Sequence, residues 1–189
     1  MLIEQDYDIQ RWKQHAHLWI PDIVKKITLK PFALHIISGP RQAGKTTALK
    51  LLIKTLLEQG KNPKSLFYFN CENVADSKEL EDVLRTYKEF QELNGVKESI
   101  IILDEITLPK EWFRTIKFLI DTGTLKYDVV ILTGSSSITI KRQVELFPGR
   151  RGNGNDYTLH PLSFRAFLRV LQPELEKRIP VIDNPLIVG

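Results

Sequence analysis

The chain has one cysteine, Cys71, in 189 residues. No internal disulfide can form, so a reducing compartment fits, and Cys71 itself reads as a small buried apolar residue at the end of a strand. Long apolar runs are also missing: none approaches the roughly 20 residues needed to span a bilayer. The first residues carry Glu4, Asp6 and Asp8 without an apolar stretch, which is not the pattern of a secretory signal. A cytoplasmic location without membrane contact is therefore expected. Neither sign of charge dominates, since Lys and Arg number 27 against 23 Asp and Glu, for a net +4. Such a balance permits a DNA partner but does not argue for one. Cys/His clusters with zinc spacing are absent. His15 and His17 are two apart and diverge on a helix, and His35 alternates within an apolar strand pattern as a satisfied core histidine would. Repeats and low-complexity tracts are missing too. What remains is ordinary: 42% apolar residues, enough for one domain with a core.

Strand and helix patterns alternate along the chain. Residues 9–29 repeat apolar side chains at helical spacing, including Ile9, Trp12, Trp19, Ile23 and Ile27, with Pro21 starting a second helix. Core packing accounts for both tryptophans more simply than base stacking does. Phe32–Ile37, Ser65–Phe69, Ser99–Leu103, Asp128–Leu132 and Tyr157–Leu159 read as strands, the third almost purely β-branched and so buried on both faces. Helices are predicted over Thr46–Gln59, from a cap at Ser77 to about Leu93, over Glu111–Ile120, Ile138–Val144 and Phe164–Leu171. Gly149 to Asn155 reads as a flexible loop, and the tail from Pro173 shows little periodicity. Alternation of this kind gives a parallel sheet in a three-layer α/β/α sandwich, with the ligand at the carboxyl ends of the strands.

The residues at those ends carry the chemistry. Gly39, Pro40, Arg41, Gln42, Ala43, Gly44, Lys45 and Thr46 form G-x-x-x-x-G-K-[ST], with Thr47 following. The glycines let backbone N–H groups face a phosphate, Lys45 reaches the β- and γ-phosphates, and the Thr46 hydroxyl serves Mg²⁺. The helix that follows points its positive end at the same place. Non-glycine positions of such a loop, Arg41 among them, often face solvent. About 60 residues beyond Lys45, Asp104 and Glu105 end a buried strand, a Walker B pair in which Asp104 holds Mg²⁺ and Glu105 accepts a proton from attacking water. Thr133 or Ser135 ends the fourth strand and can sense the γ-phosphate, while Ser136 or Ser137 suits a helix cap. Arg150, in a glycine-rich loop, can stabilise charge on a transferring phosphoryl group, within the chain or across to a neighbour in a homo-oligomer. Glu72 is either a supporting acid or a turn residue. Lys141, Arg142, Arg150 and Arg151 lie close in sequence and permit a nucleic-acid role, although no stacking motif accompanies them.

In this order the motifs resemble the AAA-type P-loop ATPases of bacteria and archaea, with GPRQ-x-GKTT at Gly39–Thr47, LDE-[IV] at Leu103–Ile106, TGSS at Thr133–Ser136, a GR element at Phe147–Arg150 and a PL-[ST]-F segment at Pro161–Phe167. Ala166 departs from the acidic residue usual in the last. The resemblance implies a five-stranded, mostly parallel sheet of order 5-1-4-3-2 and an activity on Mg-ATP, as a switch or remodelling module. It implies the organisation 1–30 as a helical extension, 31–172 as the ATPase core and 173–189 as a tail leading to a C-terminal domain. A nucleotide-binding scaffold with little turnover is the competing reading; an intact Glu105 argues against it. The N-K-x-D string expected of a guanine-specific GTPase is missing.

Overall fold

The computed structural model describes residues 6–13, 19–135 and 148–180. The predicted helix Ile138–Val144, the serines Ser136 and Ser137, and Lys141 and Arg142 lie outside these residues. The helices are α1 (Tyr7–Lys13), α2 (Ile23–Lys26), α3 (Lys45–Glu58), α4 (Ser77–Leu93), α5 (Trp112–Asp121), α6 (Phe164–Leu171) and α7 (Pro173–Glu176). The strands are β1 (Ala33–Ser38), β2 (Leu66–Asn70), β3 (Ile100–Asp104), β4 (Val129–Gly134) and β5 (Asp156–Thr158). Two compact units emerge, Pro21–Pro161 and a second drawn from both ends of the chain.

In the larger unit the sheet order is β2-β3-β4-β1-β5, and every strand pairing is parallel. This is the expected 5-1-4-3-2 order. Period-two alternation sorts the side chains onto two faces. Leu34 and Ile36 of β1, Ile101 and Leu103 of β3, and Val130 and Leu132 of β4 join Leu80, Leu84, Ile116 and Leu119 of α4 and α5 in one core. Ile37, next along β1, instead lines a small space on the other face together with Ala48, Leu49 and Leu52 of α3, Ile23 and Val24 of α2, and Ile27 just after it. Helices therefore cover both faces, and β1, β3 and β4 are buried throughout, as strands covered on both sides must be.

Local chemistry departs from the sequence reading at four places. The Asp76 side chain, not Ser77, caps α4, accepting from the N–H groups of Lys78 at 2.9 Å and Glu79 at 3.1 Å; Asp76 has the extended backbone a cap needs, while Ser77 is already helical. The helix after Pro21 lasts one turn, because Ile27 turns extended and Thr28 offers its carbonyl to His35 Nε2 at 2.6 Å. The Gly149–Asn155 segment is not a free loop. The Leu34 N–H donates to the Arg151 carbonyl, the Ile36 N–H to that of Asn155 and the Asn153 N–H to that of Phe32, so the segment lies along β1. Gly154 permits this, since a Cβ there would stand 2.0 Å from the Leu34 carbonyl oxygen. Finally, the tail begins with a further short helix, α7, whose Pro173 stands in its first turn.

His35 and Cys71 are core residues as expected. His35 is fully buried and its Nδ1 accepts from the Asn155 N–H at 3.0 Å; burial lowers its pKa below the ordinary value. Burial, with the nearby Asp104 charge, pushes the Cys71 thiol up to about 12. In the second unit Ser163 caps α6 by accepting from the Ala166 N–H at 3.2 Å, and Arg165 and Arg169 both reach Glu176 of α7. Among the described residues no helix is long and apolar enough to cross a membrane.

Candidate nucleotide site at the carboxyl edge of the sheet

β1 ends at Ser38 and the chain turns at once into the loop that opens α3. The two glycines act differently. A Cβ on Gly39 would meet the Leu159 carbonyl oxygen at 2.3 Å, so this glycine allows the chain after β5 to close against the loop, where the Leu159 N–H donates to Ser38 at 2.7 Å. Gly44 has φ +88°, the left-handed conformation that directs the chain into the helix. Pro40, Arg41 and Gln42 are exposed, while Ala43 and Lys45 are buried. The Lys45 ammonium curls back over the loop and donates to the carbonyls of Gly39 and Pro40, each at 3.1 Å. Its Nζ lies 3.8 Å from Glu105 Oε1. A lysine only 5% exposed needs such partners, because an unpaired buried charge is costly.

Asp104 closes β3 and is fully buried. Three hydroxyls converge on its carboxylate. Thr46 donates to Oδ2 at 2.7 Å, Tyr68 donates to the same oxygen at 3.0 Å, and Thr133 of β4 donates to Oδ1. Glu105 follows with φ +51°, a left-handed turn that costs a side-chain-bearing residue on the order of 1 kcal/mol or more. The end of β4 secures this turn: Thr133 Oγ1 accepts the Glu105 N–H at 3.0 Å, and the Thr133 carbonyl accepts the Ile106 N–H at 2.9 Å. The turn sends the Glu105 carboxylate away from Asp104, to the Ser135 hydroxyl, which lies 2.8 Å from both of its oxygens.

Lys45, Thr46, Asp104, Glu105, Thr133 and Ser135 thus stand together at one edge of the sheet. Their donor set fits Mg²⁺: one hydroxyl and one carboxylate, hard oxygen ligands 2.7 Å apart, leave the remaining positions to water and phosphate, as this ion prefers. Tyr68 is the member that sequence reasoning missed. The signal lay in the strand order, because β2 borders β3 with Asn70 opposite Asp104, and Tyr68 shares Asn70's face two residues earlier.

Arg150 is not brought to this edge. It pairs with Asp121 at the end of α5, and the neighbouring Gly152 bridges Ala33, the first residue of β1. Ala33 lies at the opposite end of β1 from Ser38, so the structure holds Arg150 away from Lys45 and Asp104. Arg151 is held by Asp156 at 2.7 Å and by the Leu34 carbonyl at 2.9 Å, which spends the basic character of this pair inside the fold. Glu72 is exposed and stays in a turn after β2.

Comparison with known proteins bears on the family and the fold. An uncharacterized protein of Methanocaldococcus jannaschii is 29% identical over 168 residues, covering 86% of this chain and 31% of its own length. One from Haemophilus influenzae is 23% identical over 152 residues, covering 77% and 36%. The chain thus spans about a third of the length of these curated relatives. Among solved structures, the Aeropyrum pernix ORC2 protein, described as ADPNP-ADP complexes, aligns with a TM-score of 0.57 at 16% identity, covering 80% of this chain and 47% of its own; that likeness concerns the fold. The family described as the AAA domain matches residues 32–168, a span that contains every residue of the site, and the chain belongs to that family, an α/β nucleotide-binding module of the P-loop type.

Proposed function

We propose that this chain binds Mg-ATP at the loop Gly39–Thr47 and hydrolyses it, as the switch or remodelling module of a longer protein. The observation that carries the proposal is the pairing of the two motif halves, with Thr46 2.7 Å from Asp104 and Lys45 3.8 Å from Glu105. In this reading the α3 N-terminus and the Lys45 ammonium take the phosphates. Thr46 and Asp104 hold Mg²⁺, which when bound neutralises phosphate charge. Glu105 takes the proton of the attacking water, and Ser135 and Thr133 align the carboxylates. An adenine nucleotide is favoured by the ligands named for the Aeropyrum pernix structure. The client of the module would be set by the parts of the relatives that this chain does not span.

Arg150 remains available to a second copy. Its guanidinium stands at the edge opposite the site, where a neighbour in a homo-oligomer could receive it, and its present partner Asp121 is itself well exposed. A planar fork of donors suits the charge of a γ-phosphoryl group in transit.

The test of hydrolysis is phosphate release from Mg-ATP by the wild-type chain and by Glu105→Gln. The amide variant should bind ATP and turn it over about 10²-fold more slowly or worse. Equal rates in the two proteins would remove Glu105 from the mechanism.

A further inference from the structure

The three aromatic residues of β2, Phe67, Tyr68 and Phe69, face two ways. Phe67 and Phe69 pack on the core shared with α4 and α5. Tyr68 points to the other face of the sheet, as does Asn70, the register partner of Asp104. A phenylalanine would fill either direction equally well, yet the residue on the Asp104 side carries a hydroxyl, and that hydroxyl donates to Asp104 Oδ2 at 3.0 Å. Asp104 is thereby gripped from both neighbouring strands, by Tyr68 on β2 and Thr133 on β4, with Thr46 of α3 completing the set.

We propose that Tyr68 is a positioning residue of the magnesium site: its hydroxyl fixes the Asp104 carboxylate in the orientation that presents Oδ2 beside Thr46. The inference rests on the reading of this edge as a Mg-nucleotide site. Oδ2 has two lone-pair directions, taken here by Thr46 and Tyr68; a cation shared with the Thr46 hydroxyl oxygen would replace the Thr46 donation and leave the Tyr68 hydrogen bond in place. Mg²⁺ tolerates little departure from octahedral geometry, so a carboxylate that has lost one of its three hydroxyl anchors is a poorer ligand. Groups that orient a ligand in this way typically change metal affinity 10- to 100-fold when removed.

The experiment is calorimetric titration of ATP at a series of Mg²⁺ concentrations, with wild type, Tyr68→Phe and Tyr68→Leu. Both variants lack the hydroxyl and only the second loses the ring. The midpoint of the magnesium dependence should rise about 10- to 100-fold in both, while ATP affinity without metal stays within about twofold. An unchanged or lowered midpoint in Tyr68→Phe overturns the inference, because the hydroxyl is then idle or competes with the metal. An effect confined to Tyr68→Leu overturns it in favour of packing. Wild type with ATP affinity independent of Mg²⁺ overturns the reading of the site and this inference together. A normal wild-type dependence shared by Tyr68→Phe overturns this inference alone.

Discussion

At the scale of the residue, the end of β3 separates two adjacent carboxylates. Asp104 is still strand, fully buried and held by hydroxyls. Glu105 has already turned, at φ +51°, to lie between Ser135 and Lys45. This division explains why Glu105→Gln should spare binding. The amide can keep a hydrogen bond to Ser135 and leaves Asp104 and Thr46 untouched, but it cannot take a proton, and that capacity is worth about 10²–10⁴ in rate. Lys45, Thr46, Asp104 and Glu105 are legible in the sequence because a phosphate loop needs a fixed spacing of residue types, and because a buried strand that ends in carboxylates has few structural uses. Tyr68 is not legible by itself, since an aromatic in a strand usually packs in a core; its role depends on which strand lies beside β3. Arg150 shows the converse. Its loop looks free in sequence, yet Asp121, 29 residues away, holds it at the far edge.

At the scale of the element, the glycines after residue 148 carry the clearest departure from the sequence reading. Three glycines among polar residues look like a tether. In the structure Gly152 and Gly154 let backbone lie directly on backbone, so that the segment extends the β5 side of the sheet along β1. Composition cannot distinguish a flexible glycine from a tightly apposed one, because the contact is made by a strand more than 100 residues earlier. Gly154→Ala separates the two. Its Cβ would stand 2.0 Å from the Leu34 carbonyl oxygen and 2.4 Å from its carbon, both backbone atoms of a central strand that cannot swing aside. The variant should lose on the order of 1–3 kcal/mol of stability in denaturant unfolding, the usual scale of overpacking; a free loop would give no loss. Gly149→Ala tests nothing of this kind, since no atom lies within 4 Å of a Cβ there. By contrast, the buried strands follow from their unbroken apolar runs, and the strand order is the one that the resemblance to AAA-type ATPases implies.

At the scale of the whole molecule, a chain covering about a third of its curated relatives supplies a site and not a client. The placement of Arg150 makes assembly the natural question. If a neighbour's arginine completes each site, specific activity rises with protein concentration. A mixture of Arg150→Ala with Lys45→Ala should then recover turnover that neither has alone, because one mixed interface joins an intact site to an intact arginine. Full activity in Arg150→Ala by itself would dismiss the arginine.

We propose that Gly39–Thr47 and the Asp104–Glu105 strand end form one Mg-ATP site. The most direct test is the melting temperature of wild type and Lys45→Ala with and without Mg-ATP. A ligand specific to the folded state at 100 times its Kd adds about 2.7 kcal/mol, so wild type should melt several degrees higher with Mg-ATP and Lys45→Ala should not move. Equal stabilisation of the two proteins, or none of wild type at millimolar Mg-ATP, would contradict the account.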